Sequence, residues 1–135
     1  MRTFPLSQID EHHTHLIDDL RLSKILCYPT DTIYGIWGIV NDEVINKLDH
    51  LKDRQAGKYY SLIAPDFDRI YNNFQVNKNI DQEWSQWNTI ATQSGHTGIT
   101  MLLPKRERDF LSIICSTEHI GIRYLEKHPI QKLVT

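Results

Sequence analysis

The sequence predicts a domain of the α/β or α+β class, a sheet with helices packed on it. Two observations predict this. Short apolar runs, three of them stopped by Pro29, Pro65 and Pro104, alternate with segments whose apolar residues recur every three or four positions. The first pattern is that of strands and the second that of helices, and their alternation along one chain argues for a sheet covered by helices. A third observation sets the size: 135 residues with 40% apolar content allow one core and one domain, taken as residues 1–135.

In chain order, Ile9, Leu16, Ile17 and Leu20 predict a helix over 7–21 with Ser7 as its N-cap. Ile25 to Tyr28 is a continuous apolar run before Pro29 and predicts a strand buried on both faces. Pro29 to Gly35 reads as a polar turn between apolar segments. Asn41 or Asp42 then caps a second helix, with Val44, Ile45, Leu48 and Leu51 on one face. Tyr60 to Ala64 predicts a strand, and Asp66 caps a short helix carrying Phe67, Ile70, Tyr71 and Phe74. A helix over 80–92 places Trp84, Trp87 and Ile90 at steps of three. Ile99 to Leu103 and Ile120 to Tyr124 predict two more strands, and His128-Pro129 starts a last helical segment before Thr135.

Composition narrows the function classes. Fifteen Lys and Arg against 17 Asp and Glu give a formal charge of −2, which argues against a polybasic membrane binder or a nonspecific nucleic-acid coat. Two cysteines, Cys27 and Cys115, form neither a disulfide scaffold nor a four-cysteine zinc site and suit a reducing cytoplasm. The N-terminal residues lack the apolar run of a signal peptide, and no stretch approaches the roughly 20 apolar residues of a membrane span. The expected location is cytoplasmic, with no membrane partner.

Three constellations carry chemistry. Thr30-Asp31-Thr32 follows a predicted strand, where α/β sheets seat ligands; two hydroxyls and a carboxylate there suit a small amino acid. The plain alternative is a turn capped by its own side chains. Lys52, Arg54 and Lys58, followed by Ser61, place three cations between a helix and a strand. They can clamp a polyphosphate, or simply complement a helix C-terminus. Arg123 stands in an otherwise apolar strand, so it faces either solvent or an anionic ligand. His12 and His15 share one helix face but no third ligand is evident near them, and a solvated face is the expectation. Cys27, Trp84 and Trp87 are expected to pack in the core, and Lys105 to Arg108 to form a charged loop.

Taken together and in order, these segments resemble a known family. Tyr28-Pro-Thr-Asp-Thr-Ile-Tyr-Gly35 resembles the signature of the YrdC family, the threonylcarbamoyl-AMP synthases. Lys52-Asp-Arg54-Gln-Ala-Gly-Lys58-Tyr-Tyr-Ser61 is similar to its Lys-x-Arg-Pro segment, Thr97 to Pro104 to a following strand, and Gly121-Ile-Arg123-Tyr to its Gly-Val-Arg strand. The departures are Gln55, Tyr59 and Leu125 in place of prolines, and His96-Thr97-Gly98 where Pro-Gly-Pro is usual. No Ser-x-Asn motif follows within the sequence, so the expectation is a YrdC-like domain truncated at its C-terminus, with little synthase activity by itself.

The resemblance implies a twisted open mixed sheet with a concave basic face. It implies a nucleotidyltransferase that makes threonylcarbamoyl-AMP from L-threonine, bicarbonate and ATP, for the t6A modification of tRNA. Lys52 and Arg54 are the implied catalytic residues. Lys52, Arg54, Lys58 and Ser61 would bind the nucleotide, and Thr30, Thr32, Tyr34 and Arg123 the substrate. ATP enters as substrate with Mg2+, and no protein metal site is required. Two other readings stand beside it: a non-catalytic module binding double-stranded RNA or tRNA, and the carbamoyl-transfer domain of hydrogenase maturation proteins. Self-association through an exposed sheet edge is a further expectation.

Overall fold

The computed structural model describes residues 1–53 and 59–134. A single 3-10 turn, Leu6–Gln8, leads into helix α1, Ile9–Arg21. The N-cap is therefore Gln8 and not Ser7, which lies inside the 3-10 turn, and no side chain caps the helix. Asp10 and Glu11 in the first turn and Arg21 in the last complement the helix dipole, and Ile9 and Leu16 turn the apolar face inward.

Ser23 follows in a left-handed conformation (φ 56°), buried, and joins α1 to α2, Asp42–Leu51. Asn41 does two jobs there. Its side-chain oxygen accepts from the Val44 amide at 2.8 Å, and its amide nitrogen donates to Ser23 Oγ at 2.9 Å. Lys47 Nζ donates to the Ser23 carbonyl at 3.0 Å. The polar atoms that a left-handed residue would leave orphaned inside the protein are thus satisfied.

Between the two helices lies a hairpin that the sequence did not predict. Strand β1, Leu26–Pro29, pairs antiparallel with β2, Tyr34–Trp37, in the register Tyr28↔Gly35 and Pro29↔Tyr34. The expected turn at 29–35 is only the four residues between these strands. The expectation of a strand buried on both faces fails for the same reason: β1 has one neighbour, Tyr28 alone of its residues is buried, and Cys27 is exposed rather than in the core. The Trp37 indole lies across Gly35, where a Cβ would collide with it.

The second sheet is mixed. Its strands are β3, Leu62–Ile63, β4, Met101–Pro104, and β5, His119–Arg123, in the order β3-β5-β4. β3 runs parallel to β5, and β4 antiparallel to it. The pleat sends Ile120 and Ile122 of the central strand into the core, while Gly121 and Arg123 face the other way. Helix α3, Phe67–Asn73, starts at Asp66, whose carboxylate accepts from the Arg69 amide at 2.7 Å. Helix α4, Ile80–Gln93, buries Ile80 and Trp84. Trp87 is 61% exposed and Ile90 is exposed too, so the expectation that Trp87 packs in the core is corrected: steps of three drift off a helix's buried stripe. One turn of helix, α5, Asp109–Ser112, was not foreseen and places Leu111 in the core. The last segment, Pro129–Leu133, is 3-10 and not α-helical.

Two apolar clusters hold these parts. Ile70, Phe74, Leu103, Leu111, Ile114, Ile120 and Ile122 pack behind the mixed sheet; Ile9, Leu16, Tyr28, Leu125, Ile130 and Leu133 pack between α1, the hairpin and the C-terminal turn. Burying each large aliphatic side chain is worth roughly 1.5–3 kcal/mol, so these clusters dominate stability. A mainly apolar cavity of about 380 Å³ runs between them, with walls that include Trp37, Val40, Leu62, Ile70 and Leu133.

Candidate functional site at the tip of the β1–β2 hairpin

The turn that joins β1 to β2 is built by Thr30. Its amide and its hydroxyl both donate to the Ile33 carbonyl, at 2.9 and 2.8 Å. The amides of Thr32 and Ile33 reach back to the same hydroxyl at 3.2 and 3.3 Å, and the two threonine hydroxyls lie 3.2 Å apart. The Thr30 hydroxyl proton is therefore spent inside the turn, as the self-capping alternative expects. Thr32 is exposed, and Ile33 and Tyr34 stand out from the hairpin tip, Tyr34 at 74% exposure.

Asp31 does something that no local rule specifies. Its two carboxylate oxygens each accept from Nη2 of Arg123 at 2.6 Å, and both side chains are largely covered, at 18% and 17% exposure. Of the two sequence alternatives for Arg123, solvent or an anion, the structure supplies an anion from its own chain. Coverage of the pair explains why a cation can sit in an apolar strand: partial desolvation is offset by a charge-assisted contact. Nε of Arg123 is buried with no partner among the described residues, and Nη1 carries no hydrogen bond there either.

Two glycines make room for this arrangement. Gly98 has φ +135°, and a Cβ on it would come within 2.6 Å of Asp31 Oδ2 and 3.4 Å of Arg123 Nη2. On β5, a Cβ on Gly121 would lie 2.9 Å from Ser61 Oγ and 3.3 Å from Thr100 Cγ2. Ser61 thus leans over the central strand two residues from Arg123. Of the expected site residues that are described, Ser61 alone also lines the apolar cavity; the hairpin turn and Arg123 do not.

Lys52 is the C-cap residue of α2, and its Nζ sits 5.4 Å from the centroid of the Tyr60 ring. Tyr60 in turn donates to Asp49 at 2.6 Å. Arg54 and Lys58 lie outside the described residues; of the four residues expected to clamp a polyphosphate, the structure describes Lys52 and Ser61. Residues around the site shape its electrostatics. Burial pushes the Tyr28 hydroxyl up to about 12, and burial also raises Tyr124, next to Arg123, with the charges of Glu126 and Asp66 adding to the effect. Tyr124 closes an aromatic triad with Phe67 and Trp84, at centroid distances of 4.8 and 5.1 Å.

The remaining candidates have structural partners. His13 Nε2 lies 2.9 Å from the Lys132 carbonyl and His12 stacks on Phe4, which ties α1 to its neighbours. Among the described residues no group of three or more His, Cys, Asp or Glu could hold a metal ion. Arg106 and Arg108 donate to the Tyr71 and Asn72 carbonyls near the end of α3, and Lys105 to the Cys115 carbonyl, so this loop is pinned to the fold. Among the described residues no helix is long and apolar enough to cross a membrane.

The architecture defines an open α/β domain whose candidate site gathers at a hairpin tip and the end of a central strand. A sequence profile of the Sua5, YciO and YrdC family, described as telomere recombination, matches residues 18–135, and the chain belongs to that family. Among curated proteins, threonylcarbamoyl-AMP synthases of Histophilus somni are 25% identical over 123 residues, covering 90% of this chain and 64% of theirs. The threonylcarbamoyl-AMP synthase of Haemophilus ducreyi is 26% identical over 90 residues, covering 66% of this chain and 47% of its own. The chain thus spans less than two thirds of the length of these relatives. Among solved structures, P. abyssi Sua5 complexed with L-threonine superposes with a TM-score of 0.65 at 16% identity, over 98% of this chain and 36% of that one. A doubly substituted P. abyssi Sua5 gives 0.66, again at 16% identity, over 98% and 38%. The expected α/β class and open mixed sheet are observed, with the strands divided between a two-stranded hairpin and a three-stranded sheet.

Proposed function

We propose that the chain is a threonylcarbamoyl-AMP synthase-like protein that acts in t6A synthesis on L-threonine, bicarbonate and ATP. The observation that carries this reading is the meeting of the Thr30–Ile33 turn with the end of β5. Two segments 92 residues apart, both matching family motifs, converge through Asp31 and Arg123. The names of the curated relatives and the threonine complex of P. abyssi Sua5 support it.

The roles follow from the chemistry. Threonine's amine, once deprotonated, attacks the bicarbonate carbon and water leaves to give a carbamate, whose oxygen attacks the α-phosphorus of ATP while pyrophosphate leaves. Such a displacement needs positioning and charge stabilisation more than covalent help from the protein. Lys52 and Arg54 stabilise the triphosphate and the leaving pyrophosphate, with Lys58 and Ser61 as further donors. Arg123 takes the threonine carboxylate. Thr32, exposed on the same turn, points its proton at the Thr30 hydroxyl and offers its oxygen as an acceptor, and Tyr34 borders the turn. Thr30 serves by shaping the turn, since its hydroxyl proton is already used. Magnesium comes with ATP, held by nucleotide and water, and neutralises phosphate charge.

The test is pyrophosphate release that depends on threonine and bicarbonate together, with calorimetry of threonine and ATP binding. Arg54→Ala is expected to lower ATP affinity at least tenfold and Arg54→Lys less, because lysine keeps the charge and loses the bidentate geometry. Equal ATP affinity in all three proteins removes Arg54 from the site. Absence of both threonine binding and turnover, with salt-sensitive binding of double-stranded RNA, selects the RNA-binding module instead.

A further inference from the structure

We infer that Asp31 is an internal competitor for the anion site: it closes Arg123 in the ligand-free protein, and a ligand carboxylate binds there only by displacing it. The inference rests on the reading under Proposed function for the identity of the ligand, and on geometry alone for the closed state. A guanidinium chelates a carboxylate through one of two edges: Nε–H with one N–H of Nη2, or Nη1–H with the other N–H of Nη2. Both edges need Nη2. Asp31 occupies that nitrogen with both of its carboxylate oxygens, each at 2.6 Å. While it stays there Arg123 can chelate nothing else, and the negative charge beside the guanidinium repels an incoming anion.

The contact has the character of a removable occupant and not of a permanent strut. A pair selected for stability alone sets one oxygen on Nε and one on Nη2; here Nε is buried without an acceptor among the described residues. Nη1 has no hydrogen bond there either and, unlike Nε, is not sealed from solvent, so a ligand meets the Nη1 side of the group. The Asp31 carboxylate has no other hydrogen bond among the described residues. Its turn is closed by Thr30, through amide and hydroxyl. Asp31 can therefore swing off Arg123 without opening the turn, toward the solvent that Thr32 and Ile33 beside it already face. An incoming carboxylate replaces it one for one. Arg123 keeps a counter-ion, the contact extends to Nη1, and the released carboxylate is hydrated. Until then the closed state lowers the apparent affinity of the site, because a ligand binds only the open fraction.

The experiment compares the wild-type chain with Asp31→Asn by thermal unfolding, by calorimetry with L-threonine, and by NMR of the Arg123 Nε–H during acetate titration, with Arg123→Lys used to assign that signal. The substitution keeps the shape of the side chain and removes the charge that competes with the ligand. Without ligand, Asp31→Asn is expected to unfold at a lower temperature, because Arg123 loses its counter-ion. Its threonine affinity is expected to rise at least about tenfold, since no charge-assisted contact has to be broken. A merely structural ion pair predicts that stability and affinity fall together, so unchanged or weaker threonine binding in folded Asp31→Asn overturns the inference. If neither protein binds threonine, the functional reading fails and acetate decides. An Arg123 signal that acetate shifts in Asp31→Asn and not in the wild type upholds the closed site; an equal response in both, or none, overturns it. If Asp31→Asn does not fold, the wild type carries the test through the carboxyl carbon of Asp31. Its carbon-13 signal is expected to move to the free-carboxylate position as threonine saturates the protein, or in molar acetate where threonine does not bind. A signal that stays in place overturns the inference.

Discussion

Replacing Gly98 by alanine tests the tip of the hairpin through a residue that has no side chain of its own. At φ +135° an L-residue is strained, which costs about 1–3 kcal/mol by itself. The new methyl would also sit 2.6 Å from Asp31 Oδ2, well inside van der Waals contact, so Asp31 must withdraw from Arg123. The charge-assisted contact then lost is worth roughly 1.5–3 kcal/mol, and the guanidinium keeps a buried Nε with no compensation. Gly98→Ala is therefore expected to destabilise the chain by about 3 kcal/mol or more, and to lower Tm by roughly 10 °C. Urea unfolding followed by tryptophan fluorescence measures it. Gly95→Ala is the internal control, since Gly95 also has a positive φ (+83°) but nothing lies within 4 Å of its would-be Cβ; backbone strain of about 1 kcal/mol is all it should show. A double-mutant cycle isolates the contact. In an Asp31→Ala background the methyl has room, so Gly98→Ala should cost at least about 1 kcal/mol less than in the wild type. The reasoning is refuted if Gly98→Ala costs the same in both backgrounds.

Two other perturbations address the scaffold. Asn41→Ala removes the cap of α2 and the bond to Ser23 at once, and a loss of about 1–2 kcal/mol is expected in urea unfolding. Asn41→Asp should retain the cap and lose only the Ser23 contact. Tyr28, whose hydroxyl is buried without a partner among the described residues, titrates near 10 when unfolded and about 12 when folded. The folded state holds the proton more tightly, so the contribution is complete below pH 10 and is lost as pH rises from 10 to 12. Tyr28→Phe is expected to flatten unfolding midpoints across that window and to cost little or nothing at pH 7; an equally steep decline in the variant assigns the alkaline transition to other groups.

What the sequence determined by itself is what short-range chemistry determines. Asn41 and Asp66 cap helices because a side-chain oxygen three residues from a free amide needs nothing else from the protein, and both do so here. The runs before Pro104 and around Ile120 to Arg123 form strands because their apolar residues fit a pleated, half-buried surface. Thr30 closes its own turn. The hairpin strand β2, with a glycine at its second residue, carries no such signal; it exists because β1 pairs with it and Trp37 folds over Gly35. The failure of Cys27 and Trp87 to enter the core has the same origin: apolar character says that a side chain can be buried, and only the arrangement of neighbours decides whether it is. At the site, the sequence marked Thr30, Asp31, Thr32 and Arg123 as polar residues in unusual places. That Asp31 belongs with Arg123, and Ser61 with Gly121, was settled by the register of β5 against its neighbours and by where the hairpin docks. An ion pair across 92 residues has no local signature, because its energy depends on a distance that only the assembled sheet fixes.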